Sequence, residues 1–123
     1  QMLESIQKEK EYKQRFLVKS GKQFLVARTN EIAWFVAEDG LVFLVLQNGT
    51  RKLVDATISH IEEELDPEQF FRINRKMIVS LESIVKIDSW FNSRLKLTLN
   101  PTSKEEVLVS RNRVADFKKW LGG

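Results

Sequence analysis

The sequence of 123 residues contains no cysteine and only one histidine, His60. The absence of cysteine excludes disulfides, thiolate metal sites and a cysteine nucleophile. One histidine is too few for a zinc cluster, and His60, which lies off the apolar face of its predicted helix, is expected to be a surface side chain rather than a metal ligand or the base of a catalytic triad. Neighbouring carboxylates such as Glu105 and Glu106 point to opposite faces of a predicted strand, which disfavours paired acid–base chemistry. We therefore expect no enzyme activity, no metal and no cofactor.

Long apolar runs and an export signal are also missing. No stretch approaches the roughly 20 apolar residues that a membrane helix needs. The chain starts at Gln1 without the charged-then-apolar pattern of a secretory signal. We expect a cytoplasmic protein with no membrane partner and, because position 1 is not methionine, a piece of a longer protein.

Positive and negative charges are separated along the chain. Every charged side chain in residues 55–71 is acidic, whereas residues 72–96 contain six basic and two acidic side chains. This separation favours a protein that presents one face to a polyanion. A solvated acidic helix beside a basic loop would give the same distribution.

The apolar pattern predicts one domain at residues 15–123, preceded by a polar linker at residues 1–14. Strands are predicted at residues 15–19, 23–28, 32–37, 41–46, 50–54, 83–91, 94–99 and 105–109. The turns Asp39-Gly40 and Asn48-Gly49 lie between apolar strands, which is typical of β-hairpins.

Two short amphipathic helices are predicted. Thr57 can cap a helix at residues 57–65, with Ile58, Ile61 and Leu65 on one face. Ser110 is predicted to cap the last helix, whose apolar face consists of Val114, Phe117 and Leu121.

Residues 70–84 combine large apolar side chains with a basic cluster. The apolar side chains predict a segment anchored in a core, with Arg72, Arg75 and Lys76 exposed around Asn74. Arginine and lysine suit phosphates and guanine edges, and asparagine suits adenine edges, so the cluster indicates a nucleic-acid site. An ordinary solvated turn on a basic protein is the alternative.

Arg111 and Arg113 fall in the predicted first turn of the last helix, with Asn112 between them. Cations are disfavoured there by the helix dipole, whereas a phosphate is favoured, so this placement indicates a phosphate-bearing partner. Helix propensity and surface solubility are the alternative explanation.

Two motifs carry a resemblance to a known family. Residues 71–80, FRINRKMIVS, resemble the F-x-R-x-H-R-S-x-x-V-N segment of LytTR domains, the DNA-binding modules at the C-termini of bacterial two-component response regulators. Residues 109–113, VSRNR, resemble the V-S-R motif of the same family. Asn74, Lys76 and Ser80 stand where the family often has His, Ser and Asn.

The resemblance, over about residues 15–121, implies a mainly β fold, an elongated antiparallel β sandwich of small stacked sheets with a short internal and a short C-terminal helix. It implies that loops, not a recognition helix, enter successive major grooves. The implied contact loops are Glu38-Asp39-Gly40, Asn74-Arg75-Lys76 and Arg111-Asn112-Arg113.

The leading hypothesis is a sequence-specific DNA-binding domain of a response regulator. Phosphate contacts are predicted for Arg72, Lys76, Lys86 and Lys96, and base contacts for Asn74, Arg75 and Arg111 or Arg113. The resemblance implies a dimer on double-stranded DNA with repeated half-sites, controlled by phosphorylation of an upstream receiver domain. A protein-interaction module whose basic face binds an acidic partner is the alternative.

Overall fold

The computed structural model describes residues 11–123, which form ten strands and two short helices. The strands are β1 Arg15–Ser20, β2 Gln23–Arg28, β3 Ile32–Glu38, β4 Leu41–Leu46, β5 Arg51–Val54, β6 Phe70–Asn74, β7 Met77–Ser80, β8 Ile84–Trp90, β9 Arg94–Leu99 and β10 Val107–Val109. The helices are α1 Ile58–Glu64 and α2 Val114–Trp120. The predicted mainly β architecture is confirmed. Among the described residues, no helix has the length and hydropathy to span a membrane.

Seven strands form one antiparallel sheet in the order β2-β1-β5-β4-β3-β7-β6, and three form a second sheet in the order β10-β9-β8. The larger sheet is strongly curved. The rings of Phe16 on β1 and Phe35 on β3 are 5.2 Å apart, although β5 and β4 lie between these strands. A flat sheet would separate them by about 14 Å, because neighbouring strands are about 4.8 Å apart.

The curved sheet buries side chains on both faces of β3. Phe35 enters a first core, which is closed by Ile61 of α1. Trp34, on the other face, enters a second core with Leu97 of the small sheet and Phe117 of α2. This two-sided burial explains the continuous apolar run of β3, because each face meets a different layer.

Helix α1 begins as predicted. The hydroxyl of Thr57 accepts a hydrogen bond from the backbone N–H of His60 at 3.1 Å, so the predicted cap is confirmed. Ile58, Ile61 and Leu65 are buried, which confirms the predicted apolar face.

The C-terminal helix differs from the prediction. Helix α2 begins at Val114, after a 3₁₀ turn at Arg111–Arg113, and Ser110 makes no capping bond to it. Phe117 is fully buried, but Leu121 is exposed, and Trp120 packs against Phe117 in its place. The preceding strand is also shorter than predicted, because it starts at Val107 rather than at position 105.

Most of the predicted linker, residues 1–10, lies outside the described residues. Its last residues contact the domain. The backbone N–H of Lys13 donates to the carbonyl oxygen of Glu64 at 2.9 Å, and that of Thr29 donates to Gln14 at 2.9 Å.

Candidate nucleic-acid interface

The three loops implied by the resemblance are connected by backbone hydrogen bonds. The N–H of Ala37, before the β3–β4 turn, donates to the carbonyl oxygen of Lys76 in the β6–β7 turn at 2.8 Å. The N–H of Ser110, before the 3₁₀ turn, donates to the carbonyl oxygen of Ile73 at 2.9 Å. The β6–β7 turn therefore lies between the other two loops, because it or the strand end before it is bonded to residues that directly precede each of them.

Asn74 shapes the β6–β7 turn with both ends of its amide. Its Nδ2 donates to the carbonyl oxygen of Leu108 at 2.8 Å, and its Oδ1 accepts from the backbone N–H of Lys76 at 2.8 Å. An asparagine reads adenine by using its donor and its acceptor together. Because both groups already have partners inside the protein, Asn74 fixes the position of its neighbour Arg75.

Arg72 supports the same turn from beneath, and the expectation that it stays exposed is wrong. Only 13% of its side chain is exposed. Its guanidinium donates to the carbonyl oxygens of Asn74 at 3.2 Å and Arg75 at 2.7 Å, and also to Ser59 and Glu62 on α1. Arginine suits this position because its planar group has five donors in a fixed arrangement.

Replacing Arg72 with alanine tests this supporting role. We expect the free energy of unfolding to fall by about 1 to 3 kcal/mol, because hydrogen bonds from a charged, largely buried group are lost. DNA affinity should fall by a similar factor on every sequence, since the whole turn loosens. Urea unfolding and DNA titration of the same variant measure both effects, and a normal unfolding curve with reduced affinity would instead make Arg72 a direct DNA contact.

Arg75 and Arg111 are exposed arginines of this region that remain available to a partner. Both side chains are exposed, and within residues 11–123 neither makes a hydrogen bond or an ion pair. Lys76 is exposed beside Arg75. Unpaired arginines held on a hydrogen-bonded turn suit guanine edges and phosphates, because little protein contact is lost when they bind.

The three residues of the 3₁₀ turn differ in exposure and in their contacts with the protein. Arg111 and Asn112 are exposed, whereas half-buried Arg113 donates through Nη1 to the carbonyl oxygen of Arg72 at 3.2 Å. Ser110 bonds the carbonyl oxygen of Ile73 and Oδ1 of Asn112 instead of capping α2. The argument from a helix dipole therefore fails, because these residues precede the helix.

The β3–β4 turn contains the negative charges of the region. Asp39 and Gly40 are exposed, with φ of 52° and 78°, as in the hairpin turns that aspartate and glycine favour. Glu38 is paired with Arg51, and the hydrogen bond from Arg51 lowers the pKa of that carboxyl, with smaller contributions from Lys76 and Lys104. The charge of Glu38 is thus compensated, and Asp39 projects at the tip.

The turn between β8 and β9 lies beside these loops, although it was not among the predicted contact loops. Asn92 and Arg94 line a small hollow together with Arg111. Phe91, at the start of this turn, is 72% exposed, which is unusual for an aromatic side chain in a hairpin turn. The sequence signal that was available is an aromatic residue, Phe91, directly beside the turn residues Asn92 and Ser93. We call the surface formed by residues 39–40, 74–76, 91–94 and 111–112 the loop face.

Lys86 and Lys96 lie on the outer side of the small sheet rather than on the loop face. Their ammonium groups lie 3.8 Å from Asp88 and 3.9 Å from Glu106, respectively. Lys96 also lies 4.5 Å from the ring centre of Trp90. Each of these two lysines therefore has an acidic neighbour, and its predicted phosphate contact stays a prediction.

Comparison with known proteins agrees with this geometry. The family model of the LytTr DNA-binding domain matches residues 21–122. The sensory transduction protein LytT of Bacillus subtilis is 32% identical over 101 residues, which are 82% of this chain and 41% of that protein. The heme-containing CO-sensing transcriptional regulator RcoM 1 of Paraburkholderia xenovorans is 31% identical over 87 residues, 68% of this chain and 31% of that protein.

A solved structure has the same fold. It is the LytTr DNA-binding domain of a putative methyl-accepting/DNA response regulator from Bacillus cereus, with a TM-score of 0.81 at 21% identity, covering 90% of this chain and 99% of that one. The chain spans less than half the length of the two curated relatives above. The match over residues 21–122 includes both sequence motifs and all four turns of the loop face, and the chain belongs to the LytTR family of DNA-binding domains.

Proposed function

We propose that this chain binds double-stranded DNA sequence-specifically through the loop face. The observation that supports the proposal best is the pair of exposed, unpaired arginines, Arg75 and Arg111, on turns connected by hydrogen bonds. Side chains on such supported turns lose little freedom on binding, which favours base recognition over loose attraction.

Some side chains of this region contact DNA, and others stabilise the turns. Arg75 and Arg111 contact base edges in the major groove, where arginine recognises guanine through two hydrogen bonds. Lys76 neutralises a phosphate, and so does the outer part of Arg94, whose Nε donates to the carbonyl oxygen of Phe91 at 3.1 Å. Phosphate contacts orient the protein on the duplex without reading its sequence. Arg72, Asn74 and Arg113 hold the turns, as their internal hydrogen bonds favour.

Replacing Arg75 with alanine tests base recognition. We expect binding to the preferred site, found first by selection from random DNA, to weaken by about 1 to 3 kcal/mol, with discrimination relaxed at one base position. A second selection with the variant identifies that position. The free energy of unfolding should change by less than about 0.5 kcal/mol, because Arg75 is exposed. An equal loss on every sequence would make Arg75 a phosphate contact only.

The longer protein is proposed to be a response regulator. In this proposal an upstream receiver domain, controlled by phosphorylation, brings two copies of the DNA-binding domain to repeated half-sites in the cytoplasm, and the chain has no catalytic role. Two findings support a sensory domain outside this chain. The Bacillus subtilis relative is named a sensory transduction protein, and the match covers 41% of its length. Sedimentation of the 123-residue chain with DNA containing one or two half-sites would measure how many copies each duplex holds.

A further inference from the structure

The hairpin of β1 and β2 has an outer face that combines apolar and basic side chains. Three directly opposite pairs share this face: Arg15 with Arg28, Leu17 with Val26, and Lys19 with Phe24. All six side chains are exposed. Leu17, Phe24 and Val26 are 61%, 65% and 63% exposed, although side chains of this kind are usually buried.

The exposure does not come from a poorly anchored hairpin. On the opposite face of β1, Phe16 and Val18 are each only 2% exposed and belong to the first core. Strand β1 also pairs with β5 in register. The hairpin is therefore held in place by the first core and by β5, although its outer apolar side chains are exposed.

The face of the large sheet that carries Leu17, Phe24 and Val26 is covered at other strands. At β3 and β7, Trp34 and Val79 pack into the second core beneath the small sheet. Phe43 on β4, whose ring lies 3.9 Å from the guanidinium carbon of Arg51, stands at the boundary. Beyond it, no described residue buries Leu17, Phe24 or Val26.

The charge of the hairpin indicates which kind of partner it can bind. Residues 15–28 contain four basic side chains and no acidic one. A second copy of the same face would place like charges together, which disfavours self-association. DNA phosphates would satisfy the cations but would gain little from three large apolar side chains. An acidic segment that also carries apolar side chains matches both properties.

The backbone of β2 is available for pairing. Within residues 11–123, β2 pairs only with β1 and forms the edge of the sheet opposite to β6. An edge strand can bind an extended peptide through main-chain hydrogen bonds, while alternate side chains give specificity. We propose that the outer face and free edge of the β1–β2 hairpin bind an extended acidic segment of a partner protein, in which every second residue faces outward and these outward residues are acidic and apolar in turn.

A synthetic peptide tests this proposal on the 123-residue chain. The probe is a labelled peptide of about ten residues in which the odd positions are glutamate and valine or phenylalanine in turn and the even positions are threonine, so that one face carries both acidic and apolar side chains. Its length covers the six residues of β2. The control peptide has the same composition, with all the glutamates at one end. We expect saturable binding of the alternating peptide by fluorescence anisotropy, and amide NMR shifts concentrated in residues 15–28.

Two double variants separate the apolar and charged contributions. Phe24→Thr with Val26→Thr, and Arg15→Gln with Arg28→Gln, should each weaken peptide binding at least about tenfold, because each removes one of the two complementary features. Val85→Thr is the matched control, since Val85 is 63% exposed on the other sheet, and should leave binding unchanged. All three proteins should keep the parent's affinity for the selected DNA.

Three outcomes would overturn the proposal. The first is no saturable binding, or equal binding of both peptides. The second is loss of DNA affinity in the Phe24 and Val26 variant, which would make the hairpin a DNA contact. The third is a monomer–dimer equilibrium that this variant abolishes, which would make the face an interface between copies of the chain.

Discussion

Replacing Phe35 with alanine should cause the largest loss of stability among the substitutions considered, about 3 to 5 kcal/mol. Phe35 is completely buried on β3, an interior strand of the larger sheet. Its ring lies 5.2 Å from that of Phe16 and 6.1 Å from that of Phe70, so it joins strands that do not pair with one another. Removing it leaves a cavity that the curved sheet can only partly close. Urea unfolding measures the loss.

Phe91→Ala is the matched control, because the same atoms are removed from a ring that is 72% exposed. Its free energy of unfolding should change by no more than about 0.5 kcal/mol. A Phe35→Ala protein that unfolds at the parent's urea concentration would contradict the first core as described.

Replacing both Arg75 and Arg111 with glutamine should cause the largest loss of DNA binding, about 2 to 6 kcal/mol on the selected site. Each arginine lies on its own turn, so the two effects should add. Glutamine keeps a long polar side chain but removes the charge. Titration of labelled duplex DNA at several salt concentrations measures the affinity and the number of ions released.

The control variant replaces Lys118 and Lys119, exposed basic residues in the last turn of α2, with glutamine. It removes the same charge from the chain, and its affinity for the selected site should stay within about threefold of the parent's. Equal losses in the two double variants would indicate general attraction to DNA instead of recognition by the loop face.

Helix α1 and four hairpins, β1–β2, β3–β4, β4–β5 and β8–β9, could be predicted from the sequence because their determinants are local, whereas β6 and β7 were not predicted as strands. Asp39 with Gly40 fixes a turn whose backbone needs positive φ, and Thr57 bonds the N–H only three residues ahead. The resemblance to the family then implied the three contact loops. Such signals lie within a few residues of one another, so a single sequence displays them.

The supporting contacts could not be predicted because they join residues that are distant in the chain. Arg72 has the same charge as Arg75, but it bonds Ser59 and Glu62, which are 13 and 10 residues earlier. Ser110 bonds Ile73, 37 residues away, and so does not cap α2. Charge and spacing indicate which side chains can bind DNA, whereas burial decides which of them already serve the fold.

An NMR titration of the 123-residue chain with a duplex of the selected sequence tests the loop face most directly. Amide shifts should be largest at residues 39–40, 74–76, 91–94 and 111–112, and a duplex of scrambled sequence should cause smaller shifts at the same positions. Shifts concentrated instead on the β1–β2 hairpin, or spread over Lys86, Lys118 and Lys119, would contradict DNA recognition by the loop face.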